Sequence, residues 1–195
     1  MPSNILDKIF GRFGNRMFQM AYIYNQFKLG KIADIFMQDE AYFQESANEF
    51  KQLFNGQIGE IINKVAIHVR RAGNPINPNE PAYSDNPFYT NLSRTDYYQK
   101  AMALFPDEQF IVFSDDPIWC AEQEIFKGCE ISYKTEQEDF YLMAACEHQI
   151  IANSSYSWWA AYLNKNPEKK VIAPKAWYSD GNQTRTMLPE EWIKV

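Results

Sequence analysis

The feature that most constrains the fold is a short apolar run at residues 65–69 (Val-Ala-Ile-His-Val), which is followed at once by Arg70 and Arg71. Because turn-forming residues follow at positions 73–75, the run predicts a buried strand that ends at the arginines. Ligands of α/β proteins bind at the carboxyl ends of such strands. Two adjacent guanidiniums suit phosphate oxygens. The pattern indicates a diphosphate site, with one alternative: Arg70 pairs with an internal carboxylate and Arg71 is solvated.

The composition is that of a folded globular protein. The 195 residues are 46 % hydrophobic and 16 % aromatic, which suits one large domain or two small ones with a buried core. The net charge is −6. This charge argues against a nucleic acid partner and makes the two arginines a local positive site on an acidic chain.

The cysteines and the apolar runs bear on the cellular compartment. Cys120, Cys129 and Cys146 are too few and too unevenly spaced for a disulfide framework, and none has a metal-binding spacing. No leader is visible at the amino terminus, and no apolar run approaches the roughly 18 residues of a membrane helix. We expect a cytoplasmic protein without stable membrane insertion, and the oligomeric state stays open.

The amino-terminal motif predicts a glycine turn that opens a helix. Gly11 and Gly14 lie three residues apart, and from Asn15 to Leu29 apolar residues recur at near-helical spacing. Glycines at a helix start let backbone amides approach a ligand. The motif lacks the lysine of a phosphate-binding P-loop and the third glycine of a dinucleotide fingerprint, so alone it is a weak signal.

From residue 65 onward, strand and helix patterns alternate. Further strands are predicted at residues 109–113, 131–133, 150–152 and 171–173, and helices lie between them, including one over 139–149. This alternation predicts an α/β fold with a mostly parallel sheet and helices on both faces.

Polar clusters follow two of the later strands. Ser114, Asp115 and Asp116 follow the strand at 109–113, where a carboxylate either caps the next helix or accepts hydrogen bonds from a nucleobase. The cluster Asn-Ser-Ser-Tyr-Ser at 153–157 opens a helix, and hydroxyls with free N–H groups there suit an anion. Together with Arg70, these clusters indicate a nucleoside diphosphate site.

A proline-rich segment at residues 72–93 has neither a helical nor a strand period. Long loops in compact domains are often functional, so it is a candidate lid or acceptor-binding loop. Glu80 and Asp85 are its carboxylates nearest to the arginines. The alternative for each is a solvent-exposed loop charge.

Several motifs, taken in order, resemble one family. They are Gly-Arg-Phe-Gly-Asn-Arg-Met-Phe-Gln at 11–19, His-Val-Arg-Arg at 68–71, Phe-Ser-Asp-Asp at 113–116, Asp-Phe-Tyr-Leu-Met at 139–143 and Ile-Ala-Asn-Ser-Ser-Tyr-Ser-Trp-Trp at 151–159. Together they resemble the α-1,2-fucosyltransferases, glycosyltransferase family 11, over nearly the whole chain.

The resemblance implies a GT-B-like fold, with an abbreviated acceptor-side region at 1–64 and a Rossmann-like donor domain at 65–195. It implies transfer of fucose from GDP-fucose to a galactose 2-hydroxyl of a glycan, with inversion and without a metal or another cofactor. Arg70 would hold the β-phosphate with Arg71 in support. The substrate-binding residues it implies are Gly11, Gly14, Asn15, His68, Ser114, Asp115, Asp116, Asn153, Ser154, Ser155 and Ser157.

Two departures from the family pattern leave alternatives open. Where the family reads Arg-Arg-Gly-Asp-Tyr, this chain has Arg-Ala-Gly-Asn at 71–74, so Glu80 and Asp85 become the candidate general bases. The stretch between Gly30 and Lys64 is much shorter than in the family. The alternatives are a GDP-sugar-binding module with weak or lost transferase activity, and a transferase that uses another GDP-sugar or acceptor.

Overall fold

The computed structural model describes residues 13–28, 43, 46–73, 81–181 and 188–195. Its strands are β1 (Ile62–Val69), β2 (Phe110–Ser114), β3 (Glu130–Ile131), β4 (Cys146–Ile150), β5 (Val171–Ala173) and β6 (Ile193–Lys194). Its α-helices are α1 (Phe13–Lys28), α2 (Ala47–Gln52), α3 (Tyr97–Met102), α4 (Pro117–Glu122), α5 (Glu136–Ala145) and α6 (Ser155–Leu163). Short 3₁₀ helices cover Tyr83–Asp85, Leu92–Arg94 and Glu124–Phe126.

The strands form one parallel sheet in the order β3-β2-β1-β4-β5-β6. This confirms the predicted α/β fold with a parallel sheet. The chain adds β2 and β3 on one side of β1 and then β4 to β6 on the other, so the strand order reverses between β1 and β4. Ligands of such sheets bind at this reversal, outside the carboxyl ends of the strands. Arg70 directly follows β1 at that point.

The central strand β1 is buried on both faces, as expected for a parallel sheet covered by helices. Val65 and Ile67 pack in the core that includes Tyr98 of α3 and Cys120 of α4. Ala66 points to the opposite face and packs in the core formed with α1, α5 and α6. Helices therefore cover both faces, as predicted.

The core beneath α6 is built from aromatic rings. Trp158 and Trp159 are fully buried. The Trp159 ring lies 4.8, 5.3 and 5.4 Å from the rings of Phe18, Phe43 and Phe50, measured between centroids. The described amino-terminal part of the chain is thus packed directly against α6.

The boundary between α5 and β4 differs from the prediction. The helix predicted at 139–149 is wrong at its carboxyl end, because α5 ends at Ala145 and β4 begins at Cys146. The polar residues His148 and Gln149 interrupt the apolar run by which a buried strand is recognised. Each has a hydrogen-bond partner on the backbone: the Lys170 N–H donates to His148 Nδ1, and Gln149 Nε2 donates to the carbonyl of Cys146. Gln149 Oε1 has no partner among the described residues.

Among the helices that the structure describes, none is long and apolar enough to span a membrane.

Candidate functional site

A cleft of about 350 Å³ lies at the carboxyl ends of the strands. Segments that follow β1, β2, β4 and β5 line it, together with the first turns of α1, α5 and α6. Nine residues expected from the sequence lie in it: Gly14, Asn15, His68, Arg70, Ser114, Asp115, Asn153, Ser154 and Ser155. The fold therefore gathers residues from distant parts of the chain into one cleft, at the place where this type of sheet binds ligands.

Arg70 lies in this cleft with its guanidinium held in place. It forms an ion pair with Asp115, and its Nη1 donates to the carbonyl of Ala72 at 2.9 Å. Asp115 in turn accepts from the backbone N–H groups of Arg71 and Ala72 at 2.8 and 3.1 Å. The pairing of Arg70 with an internal carboxylate is thus correct, yet the arginine still faces the cleft. Asp115 orients Arg70, which disfavours the nucleobase contact expected for this carboxylate.

Arg71 turns away from the cleft. Its guanidinium lies 3.7 Å from the ring centre of Trp119, and it donates to Ser93 Oγ at 3.0 Å. Its Nε is 3.5 Å from Asp116 Oδ2. Asp116 also accepts from the Trp119 N–H at 3.3 Å, so it caps α4. The capping alternative therefore describes Asp116, and neither Arg71 nor Asp116 lines the cleft.

The polar cluster at 153–157 is bonded mostly within the protein. The side-chain amide of Asn153 donates to the carbonyls of Thr90 and Trp177 at 2.8 and 2.9 Å. Ser154 is the N-cap of α6. Ser157 is fully buried outside the cleft, and its Oγ lies 2.9 Å from Nδ1 of His68. These bonds position the start of α6 and the imidazole, and the helix start itself faces the cleft.

The first turns of α1 and α6 touch at the cleft. Ser155 Oγ donates to Asn15 Oδ1 at 2.8 Å. A Cβ atom on Gly14 would overlap the backbone of Ser155 and Tyr156, so only glycine permits this approach. Two helix amino termini, where partial positive charge accumulates, therefore meet beside Arg70 in the same cleft.

Asp139 is a cleft residue to which the sequence analysis assigned no role. It lies in the first turn of α5, which begins with a capping box between Thr135 and Glu138. The Ser132 hydroxyl donates to Asp139 Oδ1 at 2.5 Å. Burial raises the pKa of the Asp139 carboxyl, although the Ser132 hydrogen bond and the charge of Lys134 oppose the shift. The Asp-Phe-Tyr-Leu-Met motif was the available signal, but it did not show where the carboxylate points.

The other cleft residues that sequence reasoning missed are Pro81, Tyr83, Asn86, Tyr89, Phe113, Lys134, Glu136, Tyr156 and Trp177. Most lie in segments without a helical or strand period, so no pattern predicted which side chains face inward.

Comparison with known proteins decides the family. The model of "Glycosyl transferase family 11" matches residues 22–195. The chain belongs to glycosyltransferase family 11.

Two Escherichia coli relatives of this family 11 chain are recognised. The O-antigen biosynthesis glycosyltransferase WbnK is 32 % identical over 154 residues, which cover 73 % of this chain and 48 % of the relative. An alpha-1,2-colitosyltransferase is 30 % identical over 178 residues, covering 82 % of this chain and 61 % of the relative. The chain thus spans about half to three fifths of the length of these relatives. No solved structure matches it.

Of the two candidate general bases of the family 11 chain, only Asp85 is among the described residues. Asp85 is exposed, 3.8 Å from Arg94 in an ion pair, and does not line the cleft. This placement matches the alternative of an exposed loop charge. Glu80 lies outside the described residues, as does Gly11 of the amino-terminal motif.

Among the described residues, no three His, Cys, Asp or Glu side chains cluster as a metal site would require.

The contact of Gly14 with α6 leads to a testable prediction. Gly14→Ala should lower the free energy of unfolding by about 1–3 kcal/mol, because the added methyl group forces the two helix starts apart. Urea denaturation measures this loss. Gly59→Ala is the matched control, since a Cβ there meets no atom, and its effect should stay within about 0.5 kcal/mol. Equal stabilities of the two variants would contradict the close contact.

Proposed function

We propose that the chain carries the donor site of an inverting glycosyltransferase, which moves fucose from GDP-fucose to a galactose 2-hydroxyl of a glycan without a metal ion. The observation that carries the proposal is the position of Arg70: its oriented guanidinium shares the cleft with the starts of α1 and α6. A cleft of about 350 Å³ is within the usual range for small-molecule sites. Family membership supports glycosyl transfer as the reaction.

The chemistry explains why such a site suits a diphosphate leaving group. The acceptor oxygen bonds to the anomeric carbon while the bond from that carbon to the β-phosphate oxygen breaks, so negative charge develops on GDP. Arg70 and the start of α6 line the same cleft, and a guanidinium and helix-start amides are groups that can stabilise such a charge. A base must take the acceptor proton, and Glu80 remains the candidate from the sequence.

The order of the strands suggests how an extended nucleotide sugar lies in the cleft. Asp139 is bonded to Ser132, directly after β3, while Arg70 follows β1 and Trp177 lies beyond β5. From β3 to β5 the sheet edge spans about 19 Å at the usual strand spacing. With the diphosphate at Arg70 in the middle, the nucleoside falls toward Asp139. In this proposed arrangement Asp139 contacts the base, in place of Asp115 and Asp116, which were expected to do so from the sequence.

The nucleoside end gives a second prediction. A carboxylate accepts hydrogen bonds from both the ring N–H and the amino group of guanine, whereas adenine does not present that pair of donors. Asp139→Asn should therefore weaken GDP binding about 10- to 100-fold and remove the preference for GDP over ADP. Calorimetric titration with both nucleotides measures this effect.

Glu136→Gln is the control for Asp139→Asn. Glu136 also lines the cleft but is exposed, and the substitution makes the same change of charge. It should leave the ratio of GDP to ADP affinity unchanged. If both variants change this ratio equally, Asp139 does not determine the specificity for guanine.

The proposed function is tested by calorimetry with GDP-fucose, GDP-mannose and GDP in the presence of a chelator, followed by a transfer assay with galactosyl acceptors. Fucose-selective binding and transfer support the proposal. Binding without transfer, and without release of free fucose, would identify a GDP-sugar-binding module instead. Because one relative is named a colitosyltransferase, a colitosyl donor belongs in the same assay as the alternative substrate. Failure to bind any GDP-sugar would exclude all these functions.

A further inference from the structure

The cleft has a neutral, largely aromatic end whose side chains have no role so far. This end is formed by Pro81, Tyr83, Asn86, Tyr89 and Trp177. The segment between β3 and α5 and the start of α5 instead supply charged side chains: Lys134, Glu136 and Asp139. A neutral ligand group therefore suits the aromatic end better than the charged one.

Tyr83 joins the aromatic end to Arg70. Its ring lies 4.9 Å from the guanidinium carbon of Arg70 and stacks on the Tyr89 ring at 4.4 Å between centroids. Its hydroxyl donates to the carbonyl of Asn153. Burial raises the pKa of the Tyr83 hydroxyl well above its ordinary value, which keeps this donor protonated. Tyr89 is thus one ring away from the guanidinium that the proposed function places on the β-phosphate.

Asn86 supplies a polar group at the same end. Its Oδ1 accepts from the N–H of Phe88 at 3.0 Å, which holds the side chain in place. In the described part of the chain, its Nδ2 has no hydrogen-bond partner. Asn86 is only half-buried and lines the cleft, so the amide is available as a donor to a ligand.

We propose that Asn86, Tyr89 and Trp177 form the subsite for the hexosyl group of the nucleotide sugar. This inference rests on the proposed function, because the hexose is the group bonded to the β-phosphate. Hexoses are neutral and present apolar C–H faces with a rim of hydroxyls. The aromatic rings pack against such a face, and the Asn86 amide donates to a hydroxyl.

The test compares GDP-fucose with GDP, since only the sugar distinguishes these ligands. Tyr89→Leu removes the aromatic face but keeps an apolar side chain, and Asn86→Ser removes the amide donor but keeps an oxygen near the Phe88 N–H. By calorimetry, GDP-fucose affinity should fall about tenfold for Tyr89→Leu and about fivefold for Asn86→Ser. GDP affinity should stay within about twofold of wild type in both variants.

The controls distinguish failure of the proposed hexose subsite from failure of the proposed function. Tyr133→Leu makes the same change at a tyrosine that is 66 % exposed and outside the cleft, and should alter neither affinity. Unchanged GDP-fucose affinity in both cleft variants, or an equal loss for GDP and GDP-fucose, would overturn the hexose subsite. If Tyr89→Leu does not fold, Asn86→Ser decides alone. Absence of GDP binding in wild type would instead refute the proposed function.

Discussion

Replacement of Arg70 by alanine is expected to lower kcat for fucosyl transfer by about 10²–10³-fold. Arg70 is the arginine of the pair that lines the cleft, and Asp115 and the Ala72 carbonyl hold its guanidinium in one orientation. Under the proposed function, loss of this charge would remove the strongest electrostatic stabilisation of the departing diphosphate. Steady-state kinetics with saturating GDP-fucose and acceptor measure the loss.

Two further variants make the Arg70 result specific. Arg71→Ala removes an equal charge that lies over Trp119 and away from the cleft, so its kcat should fall less than tenfold. Arg70→Ala also leaves Asp115, which is only 17 % exposed, without its cationic partner. The double variant Arg70→Ala/Asp115→Asn removes that lone charge. Recovery of activity in the double variant would show that Arg70 mainly neutralises Asp115, in contradiction to its proposed contact with the diphosphate.

Replacement of Trp159 by alanine should lower the free energy of unfolding by about 3–5 kcal/mol. Trp159 is fully buried, and its ring contacts aromatic residues from α1, α2 and the residue at position 43. Natural domains have about 5–15 kcal/mol of stability, so the loss is a large fraction of the total. Urea denaturation followed by circular dichroism measures it.

A graded series tests whether packing is the cause of the Trp159 effect. Trp159→Phe should cost less, since it keeps an aromatic ring and removes an indole N–H that lacks a partner among the described residues. Tyr133→Ala, at an exposed position, should stay within about 0.5 kcal/mol of wild type. Equal effects of the alanine and phenylalanine substitutions would show that the aromatic contacts contribute little.

Much of the fold was predictable because its signals are local. The apolar run before Arg70 and the run at 109–113 correspond to β1 and β2, and their polar ends lie at the cleft. The exceptions are β6, which has only two residues and was not predicted, and β4. His148 and Gln149 are buried polar residues whose partners, Lys170 and Cys146, become evident only in the folded sheet.

The candidate site was predictable in its location but not in its division of roles. The sequence placed Arg70, Asp115 and Asp116 near one another, and the capping and ligand alternatives for the carboxylates were both open. In the structure Asp115 orients Arg70 and Asp116 caps α4. The role of each carboxylate depends on which backbone N–H groups and guanidiniums lie within hydrogen-bond distance of it. Residue spacing in the sequence does not determine such distances.

The sequence by itself determined the alternation of strands and helices, the family, and the arginine and serine groups at the strand ends. These follow from hydrophobic period, turn residues and motif order, which act between near neighbours in the chain. Only the tertiary structure decided which side chains face the cleft, including Asp139 at one end and Tyr83, Tyr89 and Trp177 at the other. These residues line one cleft because the strand order reverses between β1 and β4, which brings distant loops to the same edge of the sheet.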